Sequence, residues 1–410
     1  MSLSIWKNRD FVWLVSGRTI SQVGTAITTF VIPWLLLQLT GSATQTGIAF
    51  AIGFLPYILI SLPAGVWADR LNRKLLMVLS DIGRLLLLAS IPLVHFASGS
   101  LPLCLLYATQ AGISALSAIF DAAYDSCIPN LVHPRHLHEA NNAMQTAVSL
   151  SRVVGPILGG VAMSAMGSVN ALILDVISYT LSVVASLAIA SPFSTSPART
   201  RMGSVWEDAR EGIQVVFAIP ALRNMMVFTA FVNFVGPGMD VALLYRMQHE
   251  LHLTSRWAGI AMTGLPAGML LGAVVNRLFG KRLDIGSWLI LSTCLQVLPP
   301  ILLAYTSNPM AISLIQMGIG ILLVAWNVQI VTLRQTLIPD HLRGRALSVF
   351  RLSAWISIPI GDAMAGSLSQ RFGSAPYFLF AAAILSTVAV LSIMTRLHRT
   401  VVSNTADRAC

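Results

Sequence analysis

The chain has 410 residues, 26 of them Lys or Arg and 16 Asp or Glu, so charged side chains make up 10% and the formal net charge is +10. Soluble domains carry about 25% charged residues; here 55% of the chain is hydrophobic and the mean hydropathy is +0.75. So few charges cannot cover a water-soluble surface of this size, which excludes a soluble enzyme, a secreted disulfide scaffold and a disordered chain.

Apolar runs fall near 11–38, 44–67, 75–96, 101–123, 143–166 and 170–190, then near 222–246, 256–277, 285–305, 309–332, 347–369 and 375–395. Each is long enough to cross a hydrocarbon core of about 30 Å. The alternating segments of a membrane barrel are absent, so helices are the remaining way to satisfy the backbone in lipid. The expected fold is an all-α membrane protein with twelve transmembrane helices in two six-helix halves. The first run is too long for a signal-peptide core and lacks a small-residue cleavage site, so it reads as a retained span. Pro33, Pro56, Pro63, Pro156, Pro237 and Pro359 fall inside spans, where membrane bundles accommodate them as kinks.

Basic residues order the topology. Lys7, Arg9, Arg70, Arg73, Lys74, Arg135, Arg223, Arg277, Arg334 and Arg345 all fall on one side of the alternating spans, the side predicted to be cytoplasmic together with both termini. The +10 charge therefore reflects topology and not nucleic-acid binding, for no basic patch is interleaved with exposed aromatics. Residues 1–190 are expected to form the N-terminal half and 191–221 a cytoplasmic linker, amphipathic around 206–217. Residues 222–396 are expected to form the C-terminal half, with a cytoplasmic tail at 397–410. A bacterial cytoplasmic (inner) membrane is the expected location.

The halves echo one another. Gly65, Asp69, Arg70, Arg73 and Lys74 follow the second span, and Gly272, Asn276, Arg277, Gly280 and Lys281 follow the eighth. Two related six-helix halves with a site near mid-membrane are a transporter architecture.

Ionisable groups inside spans are costly and therefore informative. Arg18 and Arg152 fall within the first and fifth spans, Asp240 and Asp362 within the outer halves of the seventh and eleventh. Asp81 and Arg84, three apart, are placed to pair near one end of the third span. Asp175 sits shallowly in the sixth span, away from a central cavity. Cys104, Cys127, Cys294 and Cys410 show neither pairing nor metal-ligand spacing, and His133, His136 and His138 read as a solvated loop. There is no phosphate-cradling Gly-x-x-x-x-Gly-Lys segment and no catalytic constellation, so no cofactor, nucleotide or enzymatic activity is expected.

The segment Gly65-Val-Trp-Ala-Asp69-Arg70-Leu-Asn-Arg73-Lys74 is similar to the signature loop of the major facilitator superfamily. Gly17 to Gly24, Leu39 to Ser42, Leu62 to Gly65, Ser80 to Arg84 and Trp206 to Gly212 resemble a bacterial efflux branch with macrolide-efflux and enterobactin-exporter proteins. The resemblance implies a gate at Gly65, Asp69, Arg70, Arg73 and Lys74. Gly65 would permit close helix approach, and Arg73 would reach Asp121 or Asp125 at the end of the fourth span. Gly155, Pro156, Gly159 and Gly160 resemble the end of the superfamily's antiporter motif; close packing of small residues explains them equally well. The superfamily's cavity is lined by spans 1, 4, 7 and 10. That makes Arg18, Gln22, Asn233, Asp240 and Asn327, with the in-span Arg152 and Asp362, candidates for handling substrate or protons. The span-4 arginine of many drug–proton exporters has no counterpart in Tyr107 to Gly112. The implied activity is export of an amphipathic small molecule by alternating access with proton antiport, the protein being surrounded by membrane lipid. Siderophore export or lysolipid translocation on the same fold is the alternative, and a membrane receptor on a transporter scaffold is the alternative from another class.

Overall fold

The structure, a computed structural model, describes residues 5–190, 205–279, 285–338 and 342–395. The first part of the linker, Gly280 and Lys281 of the second-half echo, and the tail from residue 396 lie outside the described residues. Within them the regular structure is helical, with no strand, as a backbone in hydrocarbon requires.

The helices are α1 (Arg9–Thr40), α2 (Ala43–Arg70), α3 (Arg73–Ser98), α4 (Leu103–Leu131), α5 (Leu137–Met166), α6 (Ser168–Ala171), α7 (Ile173–Ala188) and α8 (Val205–Ala218). They continue with α9 (Pro220–Tyr245), α10 (Ser255–Met262), α11 (Gly264–Phe279), α12 (Ile285–Leu295), α13 (Leu298–Tyr305), α14 (Pro309–Leu337), α15 (Arg343–Phe372) and α16 (Ser374–Met394). Among the described residues, eleven helical stretches are long and apolar enough to span a membrane. The eleventh expected span, α15, has the length, 30 residues, but Arg345, Arg351, Asp362, Arg371 and several serines make it more polar. Three expected spans are interrupted. The ninth breaks between α12 and α13, where Pro299 and Pro300 offer no N–H to the preceding turn.

Local chemistry explains the ends. Asn8 caps α1, its side chain accepting from the backbone N–H of Asp10 at 3.0 Å and Phe11 at 3.3 Å. Gly41 then ends α1 at φ 62°, a left-handed conformation that a residue with a Cβ adopts only under strain.

Two compact units result. Of the described residues, unit 1 takes those up to Gly41, those from Ala49 to residue 190, and Leu253–Ile260; unit 2 takes Ser42–Ile48, those from 205 to His252, and those from Ala261 onward. In unit 1, α1 packs on α5 and α7, and α3 packs on α4 and α7. Phe11, Leu14, Met77, Phe120, Tyr124 and Cys127 form its apolar core. Asp175 is wholly buried between α1 and α7, accepting from Thr28 at 2.5 Å and Ser178 at 2.7 Å, with Gly24 leaving room for that contact.

In unit 2, α9 lies along α15 and α11 along α14. The second contact depends on Gly264, Gly268 and Gly272 of α11. A Cβ at Gly268 would sit 2.0 Å from the Met317 carbonyl, and one at Gly320 of α14 2.2 Å from the Leu265 carbonyl. The linker helix α8 is held against α15. Gly212 lies against the Arg345 carbonyl, and Glu211 pairs with the Arg345 guanidinium.

Candidate functional site

In the signature loop, Arg73 and Lys74 act as caps on helix ends. Arg73 donates to the carbonyls of Ala68 at 3.0 Å and Ser126 at 2.8 Å, at the ends of α2 and α4. Lys74 donates to Leu187 at 2.9 Å and Ile189 at 2.6 Å, at the end of α7. Cations at carbonyl-rich helix C-termini complement the helix dipole. Asp69 is 52% exposed and 4.0 Å from Arg73, and Arg70 is exposed. The expected contact from Arg73 to Asp121 or Asp125 is not made, because the guanidinium is taken up by backbone carbonyls. Among the described residues of unit 1, no atom lies within 4 Å of where a Cβ on Gly65 would be.

Asp121 meets Arg18 instead. The ion pair spans α1 and α4 at 2.6 Å, and Tyr57 of α2 donates to the same carboxylate at 3.0 Å. Gln22, one turn along α1, accepts from the Arg18 Nε at 3.1 Å. The guanidinium lies over the rings of Phe120 and Tyr124, 5.1 and 5.3 Å from their centroids. The Phe120 ring also carries Arg84 at 4.4 Å, which pairs with Asp81; Asp81 in turn accepts from Ser182 at 2.6 Å. One aromatic ring thus touches both ion pairs, in a cluster that links side chains of α1, α2, α3, α4 and α7. Asp125, one turn beyond Asp121, is exposed and lies beside Arg18 at the edge of a cavity of about 350 Å³.

The Gly155–Gly160 segment presents two faces. Gly155 lies against Ala26 and Gly159 against Ile27 and Phe30, all on α1. The Pro156 carbonyl and Gly160 lie against Gly259 of α10, and Ser255 donates to the Gly160 carbonyl at 3.3 Å. Arg152 continues the Pro156–Gly160 stripe one turn away, exposed and paired with no carboxylate among the described residues.

Unit 2 holds a cavity of about 210 Å³ lined by Asn233, Met239, Asp240, Gln316, Trp326 and Asn327, with apolar neighbours. Gln316 donates to Asp240 at 3.5 Å, and Asn233 donates back to the Thr229 carbonyl at 2.9 Å. Asp362 is 2% exposed, its Oδ1 has no hydrogen-bond partner among the described residues, and it lies close enough to Asp240 for their charges to interact. Tyr377 donates to the Val235 carbonyl at 3.1 Å and also feels both carboxylates. The lining runs in sequence from Val232 to Leu385, across six expected spans; α9, α11, α14 and α16, with Gln296 between α12 and α13, bring these residues together.

The family model of the Major Facilitator Superfamily matches residues 14–361. The chain belongs to the Major Facilitator Superfamily. It is similar to the multidrug efflux pump Tap of Mycolicibacterium fortuitum, with 26% identity over 87% of this chain and 88% of that protein. It is equally similar, at 26%, to the Tap pump of Mycobacterium tuberculosis over 91% of this chain and 90% of that one. Among solved structures, a bacterial homologue of the human lysosomal transporter Spinster superimposes with a TM-score of 0.74 at 15% identity, covering 98% and 99% of the two chains. At that identity the structural likeness shows the fold alone. The fold is that of a multi-pass membrane transporter.

Two features of this superfamily member are invisible to motif reading. Arg334 counts as a topology charge in the sequence, yet it is 9% exposed, bonded to Thr229 and stacked 4.1 Å over Phe350, with no carboxylate partner among the described residues. Asn276, at the signature-loop echo, accepts from Trp288 at 3.0 Å and Gln329 at 3.2 Å. The echo thus ties α11 to α12 and α14, whereas Asp69 stays largely exposed. The only sequence signal was the Asp-to-Asn difference itself.

Proposed function

We propose that this chain is a secondary active exporter that moves amphipathic organic compounds of the drug or antibiotic type by alternating access, in exchange for protons. The observation that carries the reading is likeness to multidrug efflux pumps along about nine-tenths of both chains. The location is the bacterial cytoplasmic membrane, with both termini in the cytoplasm, on the strength of the basic-residue asymmetry. Asp240 and Asp362 are the proton-carrying candidates, since two carboxylates inside spans, with no cationic partner among the described residues, are costly unless they are used. Asn233, Asn327 and Arg152 are substrate candidates. Asp69, with Arg70, Arg73 and Lys74, gates the cytoplasmic end.

The test is accumulation of a panel of fluorescent drugs in an efflux-deficient host with and without a proton uncoupler. Export of at least one compound that collapses on uncoupling supports the reading. Unchanged accumulation across the panel overturns it. Asp69→Asn, at equal protein level, is expected to lower the export rate by about tenfold or more; an unchanged rate removes Asp69 from the gate.

A further inference from the structure

The cavity beside Arg18 in unit 1 is not explained by gating or by the central candidates. Three elements build it. α1 contributes Arg18, α4 contributes Tyr124 and Asp125, and α5 contributes Asn141, Asn142 and Gln145. At about 350 Å³ it lies within the range of small-molecule sites. Its place is the end of the unit where α1 begins, α4 ends and α5 begins, which is the cytoplasmic end in the topology proposed above.

The groups around it divide into satisfied and free ones. Arg18 is satisfied by Asp121 at 2.6 Å, by Gln22 and by two aromatic rings, so it offers little to a ligand. Asp125 is the opposite case: no described side chain hydrogen-bonds to it, and it faces the same guanidinium that Asp121 already neutralises. One cation against two carboxylates leaves one negative charge at the cavity. Tyr124 is 3% exposed, lines the cavity, and its hydroxyl has no hydrogen-bond partner among the described residues. A buried hydroxyl left unpaired costs about 1–3 kcal/mol, which a ligand's polar group recovers. The α5 wall then supplies three carboxamides, each able to donate and accept.

We infer that this cavity is an amine-recognition subsite: Asp125 receives a protonated amine of the transported compound, while Tyr124, Asn141, Asn142 and Gln145 bond the hydroxyl or amide groups beside it. The Arg18–Asp121 pair holds α1 to α4 as the fixed wall of the subsite. The inference rests on the exporter reading, and it narrows the substrate class from amphipathic compounds in general to those with a donor-rich cationic head. A quaternary cation without N–H groups uses the charge but not the carboxamides, so it gains less.

The probe pair is doxorubicin, which carries one protonated primary amine, and its N-acetyl derivative, which keeps the ring system and lacks the charge. Equilibrium binding to the purified full chain in nanodiscs is read by fluorescence, and uptake of both compounds is read in energised inverted vesicles. The expected result is preferential binding of doxorubicin, with the affinity ratio over the N-acetyl compound falling about tenfold in Asp125→Asn, the size of one charge-assisted hydrogen bond. Asn142→Ala is expected to reduce the ratio by a smaller factor, and Asp125→Glu to restore part of it. Because each variant is judged by a ratio, a partly folded preparation does not mimic the effect. Equal binding of the two compounds, or a ratio untouched by both Asp125→Asn and Asn142→Ala, overturns the subsite while vesicle uptake leaves the exporter reading standing. Tighter binding of the N-acetyl compound overturns it in favour of Arg18 as the recognising group. Absence of uptake for both compounds counts against the exporter reading, and the binding ratio still decides the subsite.

Discussion

Arg18 and Asp121 join α1 to α4 at 2.6 Å, and Tyr57 brings α2 to the same carboxylate at 3.0 Å. This pairing takes Asp121, one of the two partners the family resemblance implied for Arg73, away from the signature loop and leaves Asp125 beside the cavity. It also gives unit 1 an ionic centre whose integrity is measurable.

Removing one partner leaves a partly buried charge unpaired. Asp121→Ala is expected to destabilise the protein by about 1–3 kcal/mol, and Arg18→Ala by a similar amount. Thermal unfolding in detergent measures both. The double variant is expected to cost less than the sum of the singles, since each partner's desolvation is relieved when the other is gone. Strict additivity would show that the pair does not couple α1 to α4.

The Asp81–Arg84 pair is more deeply buried, with Ser182 bonded to the carboxylate and Tyr179 and Phe120 against the guanidinium. Arg84→Met strands Asp81 in the interior and is expected to cost about 3–5 kcal/mol, visible as loss of folded protein on expression. Adding Asp81→Leu is expected to restore much of the yield. Wild-type yield from Arg84→Met alone would refute the assignment.

Glycines on the α11–α14 contact offer a test with an internal control. Gly268→Ala places a methyl 2.0 Å from the Met317 carbonyl, so the helices must separate; a loss of about 1–3 kcal/mol is expected. Gly318→Ala, on α14, meets nothing within 4 Å and is expected to be neutral or slightly stabilising. Equal melting temperatures for the two variants would mean that α11 and α14 do not approach this closely.

Coupling is tested at the two carboxylates of unit 2. Asp240→Asn and Asp362→Asn are each expected to abolish uncoupler-sensitive export while leaving passive equilibration of the compound across proteoliposomes. Substrate-driven proton movement is expected to fall to background in at least one of them. Full proton movement in both variants would place the coupling group elsewhere.

The signature loop was legible as a pattern of Gly, Asp and Arg. The partners of those residues were not. Arg73 reads equally well as a partner for Asp121 or as a cap on carbonyls, and only the positions of the α2 and α4 ends decide for the carbonyls. Arg334 looks like one more inside-positive charge, because its burial under Phe350 depends on which way α14 is turned. Arg152 looked buried from its depth along the span; it is exposed because the α10 segment covers Pro156 and Gly160 but stops short of the next turn.

What the sequence determined by itself is the class of protein and the number and order of its spans. Hydropathy and charge are local quantities, and a lipid environment leaves helices as the available structure. What only the tertiary structure decided is which in-span charge meets which group from a distant helix: Arg18 with Asp121, Asp240 with Gln316, and, among the described residues, Asp125 and Arg334 with no counter-charge of their own. The physical reason is that these helices are apolar almost all round, so no hydrophobic face declares their rotation. Helix rotation and tilt follow from glycine contacts and kinks summed over the whole bundle, and the cavities follow from them.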